Sequence, residues 1–81
     1  MRPETQSPLT FDEHREMGQE LRAAKARVRE LCNVVVSIYG PNNQASFTFL
    51  KVAESMDRLC KDMQAQAERD CPGIRINGMY L

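Results

Sequence analysis

The chemistry that this 81-residue sequence could carry centres on its single histidine, His14, and on three cysteines. Folding the chain back on itself near residue 42 brings His14 opposite Asp70, with Cys71 next along the chain. A histidine, a carboxylate and a thiol are the residue types of a zinc site or of an activated nucleophile. However, a catalytic zinc site would need a second histidine, and the sequence has no Cys-x-x-Cys spacing. We therefore expect His14 and Asp70 to form a salt bridge or hydrogen bond that closes one end of the fold, and we expect no metal and no cofactor.

The cysteines favour reduced thiols over a disulfide framework, because their number is odd and their spacings are long. Cys60 and Cys71 would lie about 16 Å apart along one helix, too far for a disulfide. We expect Cys32 and Cys60 to be small buried side chains, and Cys71 to be the most exposed thiol. Reduced thiols, the polar residues 1–10 and the lack of about 20 consecutive apolar residues predict a cytoplasmic protein with no membrane span.

A row of basic side chains on the first half of the chain is the other candidate for chemistry, and could contact phosphates or an acidic partner: Arg15, Arg22, Lys25 and Arg29. Eleven basic residues balance eleven acidic ones, so no net field attracts nucleic acid. No aromatic side chains alternate with the basic ones for base stacking. We expect a solvated helix face here, and keep a small nucleic-acid-associated regulator as the alternative function.

No sequence pattern points to an enzyme. The chain has no glycine-rich phosphate loop and no serine-centred nucleophile motif, and its carboxylates show no convergent pairing. We expect a protein without catalytic residues.

Two long segments must position these residues, and both carry apolar side chains in alternating steps of three and four, which is typical of amphipathic helices. The first stripe comprises Met17, Leu21, Ala24, Val28, Leu31, Val35 and Ile38, and the second comprises Phe49, Val52, Met56, Leu59 and Met63. The sequence predicts an all-α fold in which helices at about 11–39 and 44–70 form an antiparallel hairpin whose core is these two stripes.

Helix-ending signals support these bounds. Thr10-Phe11-Asp12-Glu13 has the spacing of a capping box, and Gly40-Pro41 cannot continue a helix. Asn42 or Asn43 can cap the second helix, which Pro72-Gly73 ends. We expect a flexible lead-in over 1–9, the hairpin over 10–71, and a tail over 72–81 that forms a loose strand or a flap.

The two stripes also fall into one register, because an antiparallel fold pairs residues whose numbers sum to 83 or 84. Val35 then faces Phe49, and Leu31 faces Val52. An alternative remains, because residues 33–50 are rich in β-branched and alternating side chains around the turn. That segment could form a central β-hairpin in an α-β-β-α arrangement.

Apolar side chains near the turn exceed what the hairpin can cover: Val36, Tyr39, Phe47 and Leu50. The tail is too short to reach them from the opposite end. Such clusters commonly mark a protein contact. We therefore expect a structural or regulatory interaction module that packs through its helices, either as a homodimer that completes a four-helix bundle or against a helical partner. Phe47→Asp with Leu50→Asp should then weaken association.

Overall fold

The computed structural model describes residues 7–81 and contains two α-helices, α1 (Phe11–Tyr39) and α2 (Gln44–Asp70). The helices pack against each other as a hairpin, so the predicted all-α fold of two packed helices is confirmed. The β-hairpin alternative over 33–50 is wrong, because those residues are helical on both sides of a tight turn. Residues 1–6 of the expected lead-in lie outside the described part of the chain.

The helix ends use the residues that their local chemistry favours. The Glu13 backbone N–H donates to Thr10 Oγ1 at 3.2 Å, and the Thr10 N–H donates to Glu13 Oε1 at 2.8 Å, which completes the capping box. At the turn, Gly40 adopts a φ of 84°, a conformation that glycine takes at little cost. The Asn43 side chain then accepts hydrogen bonds from the first backbone amides of α2.

The line of contact between the two helices, here called the seam, is built from small and polar side chains. The buried residues along it are His14, Gly18, Cys32, Ser46, Cys60, Gln64 and Ala67. The predicted register is confirmed by the hydrogen bond between His14 and Asp70, whose numbers sum to 84. The predicted composition of the core is only half right. Alternate members of both stripes lie partly buried beside the seam, and the others are exposed.

The exposed half of the predicted stripes consists of Ala24 and five large side chains: Met17, Leu31, Ile38, Val52 and Leu59. A stripe with three and four spacing is wider than the strip that one neighbouring helix can cover. In this hairpin, small residues along one edge of each stripe face the partner helix and allow the two helices to approach closely. The large side chains lie to one side of this contact. Exposure of these residues is therefore a consequence of having only two helices in a single layer.

The tail, residues 72–81, folds back over the open end of the hairpin, where α1 begins and α2 ends. It makes turns, with Ile76 and Tyr80 buried against Cys60 and Ala67, and none of its residues is in a strand. Of the two alternatives left open by the sequence, a loose strand and a flap, the tail therefore forms the flap. Gly18 explains how the flap fits: a Cβ on this residue would collide with the carbonyl oxygen of Met79 and lie 3.1 Å from the carbonyl carbon.

The hairpin is flat. Its Cα atoms extend only 15 Å along the shortest axis, which matches one layer of helices. Within residues 7–81, neither helix combines the length and the apolar character that crossing a bilayer requires. Both broad sides of the layer are available for contacts, except where the tail lies.

Candidate functional site

Three polar side chains meet at the open end of the hairpin and form the only buried cluster that could do acid–base chemistry among the described residues. His14 comes from the first turn of α1, Asp70 is the last residue of α2, and Tyr80 belongs to the tail. Tyr80 Oη lies 2.7 Å from His14 Nδ1, and His14 Nε2 lies 2.8 Å from Asp70 Oδ2. The His14 and Tyr80 rings meet edge to face, with centroids 5.8 Å apart.

The direction of these hydrogen bonds follows from the chemistry of the groups. An ionised carboxylate can only accept, so His14 Nε2 carries a hydrogen and donates it to Asp70. While the imidazole is neutral, Nδ1 is then the acceptor, and the Tyr80 hydroxyl donates to it. The chain of donors therefore runs from Tyr80 through His14 to Asp70. Gln66 Nε2 donates to the other carboxylate oxygen of Asp70 at 2.8 Å.

This network shifts the pKa values of its two ends in opposite directions. The hydrogen bonds from His14 and, next, from Gln66 lower the pKa of Asp70 below its ordinary value of 3.8, because they stabilise the ionised carboxylate. Burial raises the pKa of Tyr80 above its ordinary value of 10.0, and the nearby negative charge of Asp70 adds to this effect. At neutral pH both shifts favour a charged Asp70 and a neutral Tyr80.

Hydrogen-bonded chains of this kind also occur in catalytic relays, but here the central groups are inaccessible to a substrate. His14 and Tyr80 are both 0% exposed, so no outside molecule can reach the histidine or the hydroxyl. The network instead joins α1, α2 and the tail, as the predicted His14–Asp70 contact does for the two helices. No group of three or more His, Cys, Asp or Glu side chains gathers as metal ligands anywhere in residues 7–81.

The thiols follow the predicted order of exposure. Cys32 and Cys60 are buried as predicted, at 4% and 0% exposed, and Cys71 is the most exposed of the three at 7%. Cys71 is nevertheless buried, because the tail turns back directly after it. All three are free thiols.

Gln64 forms a second attachment of the tail that the sequence did not reveal. Its Nε2 donates to the Ile76 carbonyl oxygen at 2.6 Å, and its Oε1 accepts from the Tyr80 backbone N–H at 2.9 Å. One buried amide thus satisfies two backbone groups of the tail. Neither Gln64 nor Tyr80 was predicted to hold the tail. The one feature of the sequence that could have indicated this contact is Gly18, a glycine inside a helix, because it permits a close backbone approach.

The predicted basic row is partly neutralised by α2. Arg29 makes two hydrogen bonds of 2.8 Å to the carboxylate of Asp57, and Lys25 lies 3.8 Å from the same group. Arg15 and Arg22, nearer the open end, have no acidic partner across the seam in the described chain. The four residues therefore do not form one continuous cationic surface.

The predicted partner contact near the turn, here called the turn-end patch, is largely exposed. Tyr39, Phe47 and Leu50 are 63%, 52% and 43% exposed, whereas Val36 is partly buried. The ammonium of Lys51 lies 5.4 Å from the centre of the Phe47 ring.

A larger apolar surface runs along one broad side of the hairpin, and we call it the long apolar face: Met17, Leu31, Ile38, Val52 and Leu59. Within each helix its members are seven or fourteen residues apart, and most immediately precede a seam residue, as Met17 precedes Gly18 and Leu59 precedes Cys60. A residue one position before a seam residue is turned by about 100° around its helix axis. Because the helices are antiparallel, this turn places such residues of α1 and of α2 on the same broad side of the hairpin. Partly buried Leu21, Val28, Val35, Phe49, Met56 and Met63 lie between them.

Near the turn this side contains a shallow apolar hollow of about 520 Å³, lined by Ala45, Thr48, Phe49 and Val52. Phe47 directly follows the seam residue Ser46, so the same periodicity places it on the opposite side, whereas Val36 lies one helical turn after Cys32 and close to the seam. The hairpin therefore has one apolar side and one mixed side that holds the basic row and the tail. Comparison of the chain with family models, curated proteins and solved structures finds no match.

Proposed function

We propose that this protein is a non-enzymatic interaction module that pairs with a second copy of itself through the long apolar face. The single observation that supports this is the exposure of five large apolar side chains along one side of both helices. Isolated exposed apolar residues are common in monomers, but a continuous stripe along a whole hairpin is typical of a surface that another protein covers.

The dimensions of the face suit a dimer. Helices of 29 and 27 residues are about 40 Å long, and two packed helices are about 18 Å wide, so the face offers roughly 700 Å² per copy. A stable protein–protein interface buries about 800 Å² on each partner. Two hairpins joined face to face would form a four-helix bundle, in which the partly buried residues between the two exposed rows become its core.

A non-catalytic role is supported by the closed polar network. Its histidine and tyrosine are inaccessible, and they hold the tail instead of facing a pocket. A cytoplasmic location suits the three thiols. Binding of a helical partner of different sequence, and nucleic-acid binding through the basic row, remain predictions. The pairing of Arg29 with Asp57 reduces the charge available for nucleic acid.

The test is solution mass by light scattering over a concentration series, with reducing agent present. The parent should form a dimer. Leu31→Asp with Leu59→Asp should abolish it, because both side chains are about 40% exposed and each would lose about 1 kcal/mol of burial on association. For the four side chains in a dimer this is about 4 kcal/mol, close to a thousandfold in Kd before the cost of burying the new charges.

Phe47→Asp with Leu50→Asp is the matched control, because these residues are similarly exposed on the opposite side. If the long apolar face forms the interface, this variant should dimerise as the parent does. The opposite pattern, with association lost only in the turn-end variant, would favour the patch predicted from the sequence. A parent that stays monomeric at every concentration would contradict self-pairing.

A further inference from the structure

A second surface feature lies on the mixed side of the hairpin, where the tail crosses α1. A pocket of about 260 Å³ opens there, and we call it the arginine pocket. Three arginines and a stretch of tail line it: Arg15 and Arg22 from α1, Arg75 from the tail, and residues 76–79. No acidic side chain is among the lining residues.

The three guanidinium groups retain most of their binding capacity. Arg15 has one exposed contact with Asp12 at 3.3 Å, of a type that contributes little. Arg22 uses only Nε, in a long 3.4 Å hydrogen bond to the Gly18 carbonyl oxygen. Arg75 has no hydrogen bond or ion pair with any residue in the described range. The basic row is therefore neutralised by Asp57 near its middle, but not at this end.

Two of the tail residues that line the pocket have unpaired backbone donors. Gly78 has a φ of 68°, and it lies in a turn closed by the hydrogen bond from the Leu81 N–H to its carbonyl oxygen. Within residues 7–81 the N–H groups of Asn77 and Gly78 donate to no protein acceptor. Unpaired amides next to guanidinium groups are the donors that bind oxyanions in turns of this kind.

We propose that the arginine pocket binds a small oxyanion of the phosphate class. Three guanidinium groups that line one pocket create a local positive potential, which favours an anion of more than one charge. The planar fork of arginine matches the oxygens of a phosphoryl group in pairs. A bound phosphate would connect Arg15 and Arg22 of α1 with Arg75 of the tail, so it would also strengthen the attachment of the tail. This site is independent of the long apolar face.

The experiment is a titration of the full chain with inorganic phosphate at constant ionic strength, followed by amide and arginine Nε–Hε resonances in NMR spectra. Saturable shifts should occur at Arg15, Arg22, Arg75 and the 77–78 amides. Arg75→Gln should weaken binding at least about tenfold, because a charge-assisted hydrogen bond is lost. Arg58→Gln, an exposed arginine of α2 outside the pocket, is the control and should change the affinity less than about twofold.

A second readout tests the predicted connection between α1 and the tail. At a phosphate concentration ten times Kd, the ratio of folded to unfolded protein in urea should rise about elevenfold for the parent and the Arg58 variant, and much less for the Arg75 variant. Sulfate, which has a similar shape and charge, should compete with phosphate for the site.

Three outcomes would overturn the proposal. The first is shifts that stay linear with phosphate concentration, since these indicate non-specific screening. The second is equal loss of affinity in the Arg58 and Arg75 variants. The third is a single-stranded oligonucleotide without terminal phosphates that binds more tightly than phosphate and shifts Lys25 and Arg29 as well, because the surface would then belong to a nucleic-acid contact.

Discussion

Gly18→Ala should destabilise the protein, although the same change in an exposed helix interior usually stabilises by about 1 kcal/mol. The added Cβ would collide with the carbonyl oxygen of Met79 and lie 3.1 Å from its carbonyl carbon and 3.2 Å from its Cγ. The Cγ can rotate away, but the carbonyl belongs to the backbone of a tail that is fixed by Gln64 on one side and by His14 on the other.

The size of the effect follows from these opposing contributions. Overpacking against a fixed group costs about 1–3 kcal/mol, and a backbone obstacle places this site near the upper value. After subtracting the helix preference, the net loss is about 2 kcal/mol, or about a 10 °C lower Tm for a domain of this size. If the tail detaches instead of straining, the loss cannot exceed the free energy of attaching it.

Two assays distinguish strain in the folded protein from detachment of the tail. Urea unfolding followed by circular dichroism gives the free energy of unfolding. Trypsin cleavage after Arg75, followed by intact mass, reports how often the tail opens, and this should increase about thirtyfold for 2 kcal/mol. Gln19→Ala, an exposed neighbour in the same helix turn, is the control and should leave both values nearly unchanged. A Gly18→Ala protein more stable than the parent, with unchanged cleavage, would refute the tight approach of the tail.

Three further predictions concern the same end of the molecule. The contribution of the ionised Asp70 to the free energy of unfolding should be complete above pH 3.8 and should be lost as the pH falls through the lowered pKa of Asp70. Asp70→Asn should flatten this acid dependence in urea titrations. Stability should also decrease above pH 10.0, because the buried Tyr80 keeps its proton there while the unfolded chain loses it. Tyr80→Phe should remove this alkaline dependence, and Tyr39→Phe, at an exposed site, should not. All three thiols should react slowly with a thiol reagent, and Gly18→Ala should accelerate the reaction of Cys60 and Cys71, since both lie against the tail. Equal acceleration of Cys32 would indicate general loosening instead.

The hairpin could be predicted from the sequence because its determinants are local. The capping box at Thr10, the glycine that ends α1 and the asparagine that begins α2 each act over a few residues, and the observed contacts are the ones their side chains favour. The register was also predictable, since both stripes point to one alignment that the His14–Asp70 contact confirms.

The composition of the seam could not be predicted in the same way. A stripe of mixed large and small residues does not reveal which edge faces the other helix, and here the edge with Gly18, Cys32 and Cys60 does. The attachment of the tail depends on pairs such as His14–Tyr80 and Gln64–Ile76 that are distant in sequence. In the sequence, only the glycine inside α1 could indicate a close contact with the tail, and it does not identify the residue that approaches it.

The position of the polar network at the end farthest from the turn also has a consequence for the order of folding. The Arg29–Asp57 contact joins residues 28 apart, whereas the His14–Tyr80 contact joins residues 66 apart. Closing the shorter loop costs less chain entropy, so we expect pairing to begin at the Gly40 turn, progress along the seam and attach the tail last. Interactions that form after the transition state slow unfolding without speeding folding. Tyr80→Phe should therefore raise the unfolding rate in a chevron plot and leave the folding rate unchanged, which would make the tail the element that sets the lifetime of the native state.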